Sequence, residues 1–485
     1  MKFKKRSLIA LMLVISMLAA AGCSSNNVDE TVDTTQVSAE VTETETEDPL
    51  ADNLPETDME GWTFRMAIFG NANIRSYAYA EELNGNVVND AVHTKITNVE
   101  DRFNTDIVLT EACLNDKNDQ AVLIKSIIAG EDSCEIGQGH DISMANASLE
   151  GYFLNVYDIP HLDFEKPWWM PATLESMTIL DQMYLMFNNI SYQNLMDTRV
   201  MYFNKNLMDD MGMEYPYETV YEGKWTMDEL VKLSDSAYID LNGDGKSDKN
   251  DQFGFICPGY FYACMEPFKV EPYCKDENGA LYYDLDVERV SSLVEKYYNL
   301  LFGVGGLKSD YATCNKIFTE NRALFYYENL DTAVPDFADS EVVFGILPMP
   351  KLDESQDQYY GGATDRPIAV PITVQKENMD NIGIVTEALN AEGYKNVYPA
   401  FFEVAMKSRY ADQSDDAKML DIIHDNVIIS FTYLFGDFKS AYNVLLGEML
   451  NKSSADVASW DAKKTASETA RVEKLMAFFS EHQNP

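Results

Sequence analysis

Between Asp240 and Asp251 the chain reads DLNGDGKSDKND, with oxygen donors recurring at fixed intervals. Side-chain oxygens at Asp240, Asn242, Asp244, Asp248 and Asp251 fill positions 1, 3, 5, 9 and 12 of an EF-hand-like loop. Gly245 holds the sharp-turn position 6, and Lys246 offers its backbone carbonyl at position 7. A hard divalent cation needs such a ring of oxygens, so a Ca2+ ion is the expected cofactor. Asp251 stands where Glu is usual, which shortens bidentate reach and lowers the expected affinity. An acidic turn that only faces solvent is the plainer alternative. Gly245-Lys246-Ser247 does not make a phosphate-binding loop, because position 240 is Asp and the acidic surroundings repel phosphate.

The second reactive position is Cys23. Lys2, Lys4, Lys5 and Arg6 form a basic start, and Leu8 to Ala21 an apolar run too short to span a membrane. Ala20-Ala21-Gly22-Cys23 resembles a lipobox, with Ala20 where Leu is usual, so residues 1–22 are expected to be a lipoprotein signal peptide and Cys23 the lipidated residue. Residues 23–58 lack Lys, Arg and aromatic side chains and are dominated by Thr, Glu and Asp. Such a segment cannot bury enough apolar area to offset its ordering entropy, and is expected to be a disordered acidic tether. The chain carries 37 basic and 80 acidic residues, a formal charge of −43. A surface this acidic excludes nucleic acid as a partner and disfavours direct adhesion to anionic lipid.

Seven cysteines stand at 23, 113, 134, 257, 264, 274 and 314. Cys113 could pair with Cys134, and some of Cys257, Cys264 and Cys274 with one another; bridges and free buried thiols both remain open. No CxxC or Cys/His spacing points to zinc, and no GxSxG, HExxH or GxGxxG pattern points to a catalytic site.

The elements that must position these groups alternate. Strands are expected at Trp62–Phe69, Asp106–Thr110 and Asp141–Ala145, with helices over Val88–Phe103 and Ala121–Ala129. This βα order argues for a parallel sheet covered on both faces, with ligands past the carboxyl ends of its strands. Asn71, Arg75 and Asn146 are thereby expected near a cleft. Val200–Phe203 opens a further strand, Gly212 stops the short helix after it, and Thr226-Met227-Asp228-Glu229 is a capping box.

The stretch from Thr198 to Leu230, with Trp225-Thr226 before Asp228-Glu229-Leu230, resembles the extracellular solute-binding proteins of ABC importers, family 1, the carbohydrate-type group. Pro167-Trp168-Trp169, the strand Gly345-Ile346-Leu347-Pro348-Met349-Pro350 and the helix Met419-Leu420-Asp421-Ile422-Ile423 carry the same resemblance, which covers about residues 60 to 450. It implies an α/β, two-lobed, periplasmic-binding-protein-like fold of type II, each lobe a sheet flanked by helices. Residues 59–195 and 363–435 would form lobe 1, and residues 196–362 and 436–485 lobe 2. It further implies that Trp168 and Trp169 offer a stacking platform for a sugar ring, although two adjacent indoles cannot both face one way and at least one is expected to pack structurally. Asp365 and Arg366 would lie at the return crossing, as sugar hydrogen-bonding groups or as a hinge ion pair, and Tyr433 at the third crossing. Calcium would be structural, on the second lobe. The function implied is non-enzymatic: a monomeric, lipid-anchored protein on the outer face of the cell membrane that captures a sugar or oligosaccharide and delivers it to an ABC permease. A surface glycosidase, or a glycan sensor of the same fold, are the alternatives.

Overall fold

The apolar run after Gly61 extends as β1 (Trp62–Ile68) and is flanked in parallel by β2 (Thr105–Leu109) and β3 (Ile136–Gln138). The computed structural model describes residues 48–485 apart from 49, 115–119, 260–264, 334–336, 338–339, 364–365, 408–413, 437–446, 448–455 and 483–485. Between β1 and β2 runs the helix Val87–Phe103, started by Asn86, whose side chain accepts the N–H groups of Val88 and Asn89, and stopped by left-handed Asn104. Val88, Val92, Ile96, Val99 and Phe103 make its buried stripe.

The third strand lies earlier than Asp141–Ala145, which is helical: β3 is Ile136–Gln138 and the helix spans Asp141–Leu149. Gly137 in its middle and Gly139 just after it mask the strand in the sequence. Met144, Ala145, Ala147 and Ser148 are buried at helical spacing, with Asp141 in the favourable first turn.

A second sheet begins at β4 (Arg199–Asn204) and takes in β5 (Phe253–Pro258). The hairpin of β6 (Tyr273–Lys275) and β7 (Leu281–Tyr283) stands apart, and the sheet resumes with β8 (Gly306–Ser309), β9 (Ala323–Asn329) and β10 (Phe344–Leu347). Its order is β10-β4-β9-β5-β8, with β5 parallel to β8 and β9, and β4 antiparallel to β9 and β10. Gly254 is required at the start of β5, since a Cβ there would lie 1.9 Å from the carbonyl oxygen of Ser234 on the helix Met227–Ser236. Asn321 turns the chain from helix into β9 with φ 56, a left-handed conformation that Asn tolerates where glycine is usual. The indole N–H of fully buried Trp225 donates to the Pro348 carbonyl at 3.0 Å, joining two of the segments that carry the family resemblance.

The halves are connected where β11 (Gly361–Gly362) leads toward β12 (Ile368–Ala369), which adds antiparallel to β3, and where β13 (Val427–Ile428) runs parallel to β11. Thr198 bridges Ala363, so three crossings lie side by side. One aromatic core sits in the second half, where Tyr202, Phe318, Tyr326, Phe337 and Phe344 pack ring to ring. Among the described residues no helix is long and apolar enough to cross a membrane.

Candidate functional site

The carboxyl ends of β1 and β3 open on a cavity of about 430 Å³ lined by Gly70, Asn71, Gln120, His140, Ser143 and Arg366 among others. Backbone carbonyls and loops meet here because parallel strands end on one side of their sheet. Arg366, just before β12, pins both ends: its guanidinium donates to the Phe69 carbonyl at 3.3 Å, and its own carbonyl accepts from the Gln138 amide at 2.9 Å. Gly70 permits the tight exit from β1, since a Cβ would lie 2.6 Å from the Ile74 side chain and its φ is +156. Asn71 caps the short helix Ala72–Ser76, its Oδ1 accepting from the Ile74 N–H at 3.1 Å.

Charges of both signs surround this opening. His140 pairs with Asp141 at 2.8 Å, and that hydrogen bond raises the imidazole above its usual value. Asp197, on the first crossing, is pushed up to about 6 by burial, opposed by a hydrogen bond from Gln193 and by the charges of Arg199 and Arg366. Below it Arg199 meets Glu328 at 3.0 Å in a fully buried pair between β4 and β9. Tyr77 packs on Tyr192 with ring centroids 4.8 Å apart and feels the charges of Asp331 and Asp197, so aromatic and acidic groups border the same region.

Of the residues expected at a cleft, Asn71 and Arg366 are brought together. Arg75 turns back instead, donating to the carbonyls of Gly70 at 2.8 Å and Cys113 at 3.1 Å, so it braces the loop rather than facing the cavity. Asn146 is exposed on the helix that replaced the expected strand, outside the cavity lining. Asp365 lies outside the described residues. Tyr433 is buried in the helix Phe431–Phe435, its N–H bonded to Ser430 Oγ at 3.1 Å.

Trp168 and Trp169 require correction: both are fully buried and neither can stack on a ligand. Their indole N–H groups converge on one carboxylate, Glu387, at 2.8 Å to Oε1 and 3.0 Å to Oε2. Two buried indoles each need an acceptor, and one bidentate carboxylate supplies both. His140, Ser143, Gln120 and Asp197 escaped the sequence reading. The misplaced third strand hid the first two, and Asp197 shows only as one acid among 80.

In the 240–251 loop, Asp240 accepts the N–H groups of Gly243 and Gly245 at 2.7 and 2.9 Å, and Asp244 that of Lys246 at 2.8 Å. Asp251 is buried, accepting from the N–H groups of Leu241 and Asp248 and from the Tyr238 hydroxyl. Asn242 Oδ1 accepts from the Asp244 N–H, and Asp248 Oδ1 from the Asn250 N–H. Among the described residues no group of three or more His, Cys, Asp or Glu side chains is gathered as around a metal ion.

No protein-family model and no curated protein matches the chain. Solved structures do match. RafE from Streptococcus pneumoniae, in its apo form, is 13% identical, with 87% of this chain and 97% of that chain covered and a TM-score of 0.50. The maltose/maltodextrin-binding domain MalE from Bdellovibrio bacteriovorus bound to maltotriose is 14% identical over 84% of this chain and 99% of that chain, with a TM-score of 0.49. A family 1 extracellular solute-binding protein from Bifidobacterium longum subsp. infantis is 12% identical over 87% and 99%, with a TM-score of 0.47. At such identity the likeness to RafE is one of fold, and the fold is the two-lobed, periplasmic-binding-protein-like α/β architecture in which each sheet is flanked by helices.

Proposed function

We propose that this chain is the substrate-binding protein of an ABC importer, and that it holds a sugar or oligosaccharide, unchanged, at the carboxyl ends of its first sheet. The observation that carries the reading is the convergence of Arg366, from the return crossing, with Asn71, His140 and Ser143 on one open cavity. Hydroxyls are donors and acceptors at once, and this lining offers a guanidinium, an imidazole, amides and a nearby carboxyl at Asp197. In this reading residues 59–195 and 363–435 form lobe 1, residues 196–362 and 436–485 lobe 2, and closure over the ligand presents both lobes to a permease. Lipid on Cys23 would hold a monomer at the outer face of the cell membrane, with residues 23–58 as a spacer.

The test is a thermal-shift screen over mono- and oligosaccharides, followed by calorimetry on the hits. A binding sugar should lose roughly tenfold or more in affinity in Arg366→Ala, through loss of a charge-assisted hydrogen bond of ~1.5–3 kcal/mol. Silence across the whole panel, or conversion of any sugar to smaller products by pure protein, would sink the proposal. Calcium belongs to the same proposal as a structural ion at residues 240–251, supported by donor spacing. Ligation would require Asp240 and Asp244 to exchange their backbone N–H bonds for the ion. A melting temperature indifferent to added calcium and to Asp244→Asn would remove the ion from the account.

A further inference from the structure

Ile179 and Gln182 exchange both backbone hydrogen bonds at 2.9 Å, closing a two-residue turn whose central residues, Leu180 and Asp181, have φ of 49 and 59. Among the described residues no other two neighbours that both carry a Cβ are left-handed. A turn of this hand is ordinarily filled by Asn-Gly, because a Cβ costs free energy there, most of all on a side chain as bulky as leucine. Such a backbone persists only where its surroundings hold it.

The surroundings come from both halves. The chain leaving the turn belongs with the first sheet: the Met183 carbonyl accepts from the Val156 N–H at 2.8 Å, and Met186 bridges Ile368 of β12. Facing it are the β6–β7 hairpin and the helix Val457–Glu481, which are bound to each other by the Tyr273 hydroxyl on Glu468 at 2.6 Å and the Tyr283 hydroxyl on Asp461 at 2.7 Å. The hairpin tip reaches the turn directly. There the Gly279 carbonyl accepts from the Leu180 N–H at 3.4 Å, and Lys275 donates to the carbonyls of Glu175 and Ser176 nearby. The helix reaches it with its last turn. Phe479 is buried against Met177, Met183, Tyr184 and Leu185, and its carbonyl, one of those a helix end leaves over, accepts from the Gln182 amide at 2.8 Å. The Tyr184 ring meets Phe478 edge-on with centroids 5.4 Å apart, and its hydroxyl donates to Gln182 Oε1 at 2.6 Å.

We propose, resting on the two-lobe division above, that the turn Ile179–Gln182 is a strained clasp between the lobes. The hairpin tip and the helix end of lobe 2 hold it in its left-handed form, and all three release together when the lobes part. Hydrogen–deuterium exchange of the full chain, read by peptide mass spectrometry with no sugar present, tests this. Segments 179–184, 276–282 and 476–482 should share one opening rate, while β1 and β4 stay protected. Asp181→Gly, an exposed substitution that relieves the left-handed backbone, should slow exchange about threefold in all three segments, the distant helix end included. Phe479→Ala should speed exchange about tenfold in 179–184 and 276–282, by emptying the seat of the helix end. If that variant fails to fold, Asp181→Gly still decides. Three results overturn the clasp: unrelated rates in the three segments, a slowing in Asp181→Gly confined to 179–184, or β1 and β4 opening at the clasp's own rate. Each is read without ligand, so a failure here is distinct from silence in the sugar screen.

Discussion

Glu387 is the position whose replacement reports most directly on the interior. Its carboxylate holds the indoles of Trp168 and Trp169 at 2.8 and 3.0 Å in a fully buried site, and burial, opposed by those two bonds, pushes it up to about 7. Glu387→Gln keeps the shape but turns an N–H₂ toward one indole N–H, so one bond is lost and a buried donor is stranded, together about 2 kcal/mol at pH 5. The pH dependence has a definite sign. The folded state holds this proton more tightly than the unfolded chain, so the contribution is present at low pH and fades as pH rises from the ordinary carboxyl value of 4.5 through about 7. Between pH 5 and pH 8 that linkage amounts to about 2.5 kcal/mol of wild-type stability, which the amide cannot show. The substitution is therefore expected to be destabilising at pH 5 and close to neutral at pH 8, read by urea unfolding at both values. Trp168→Phe should lower stability at either pH and leave unchanged the affinity for any sugar found in the proposed screen, since the ring faces no cavity. A pH-independent effect of Glu387→Gln, or a Trp168→Phe protein that folds as tightly as wild type and loses its ligand, would refute this account of the pair.

Other expectations follow from buried charges elsewhere. Lys95 is fully buried, donates to the carbonyls of Ala78 and Ile190, and is pushed down to about 7 by burial. Its folded-state proton is held less tightly than in the unfolded chain, so stability should rise from about pH 7 upward, and that rise should vanish in Lys95→Met when unfolding is followed across the range. Asp416 accepts from Lys205 at 2.8 Å, Tyr217 at 2.6 Å and the Ile346 N–H at 3.1 Å; Asp416→Asn should cost ~3–5 kcal/mol in chemical denaturation by stranding the buried ammonium. Cys113, Cys134, Cys274 and Cys314 are free thiols, so each of the four should react with an alkylating reagent when the chain is denatured without reductant, as read by peptide mass spectrometry.

Local signals in the sequence carried much of the architecture. The strand after Gly61 and the helix ending at Phe103 follow from plain periodicity, and Gly212 stops its helix with φ 65 as a glycine should. The capping box at Thr226 is half made: its hydroxyl accepts from the Glu229 N–H at 3.4 Å, but the Glu229 carboxylate bonds Lys232. A lysine one turn along the same helix takes the carboxylate there. At the cavity the deciding partners are tertiary and invisible in a local pattern. Arg366 was legible from its place in a resemblance, whereas the inward turn of Arg75 depends on carbonyls at Gly70 and Cys113, the latter 38 residues away. The tryptophan pair shows the limit most plainly, because the acceptor that fixes both rings lies more than 200 residues downstream, at 387.

The three crossings at Thr198, β11 and β13 have a mechanical consequence. Chains hydrogen-bonded edge to edge form a narrow ribbon, and torsion about its long axis would shear the bonds between Thr198 and Ala363 and between Gly361 and Val427. Bending across the ribbon breaks none of them. Any relative motion of the two halves would therefore have to bend this ribbon rather than twist it, like a door on a long leaf rather than a ball in a socket, with Arg366 three residues beyond the ladder.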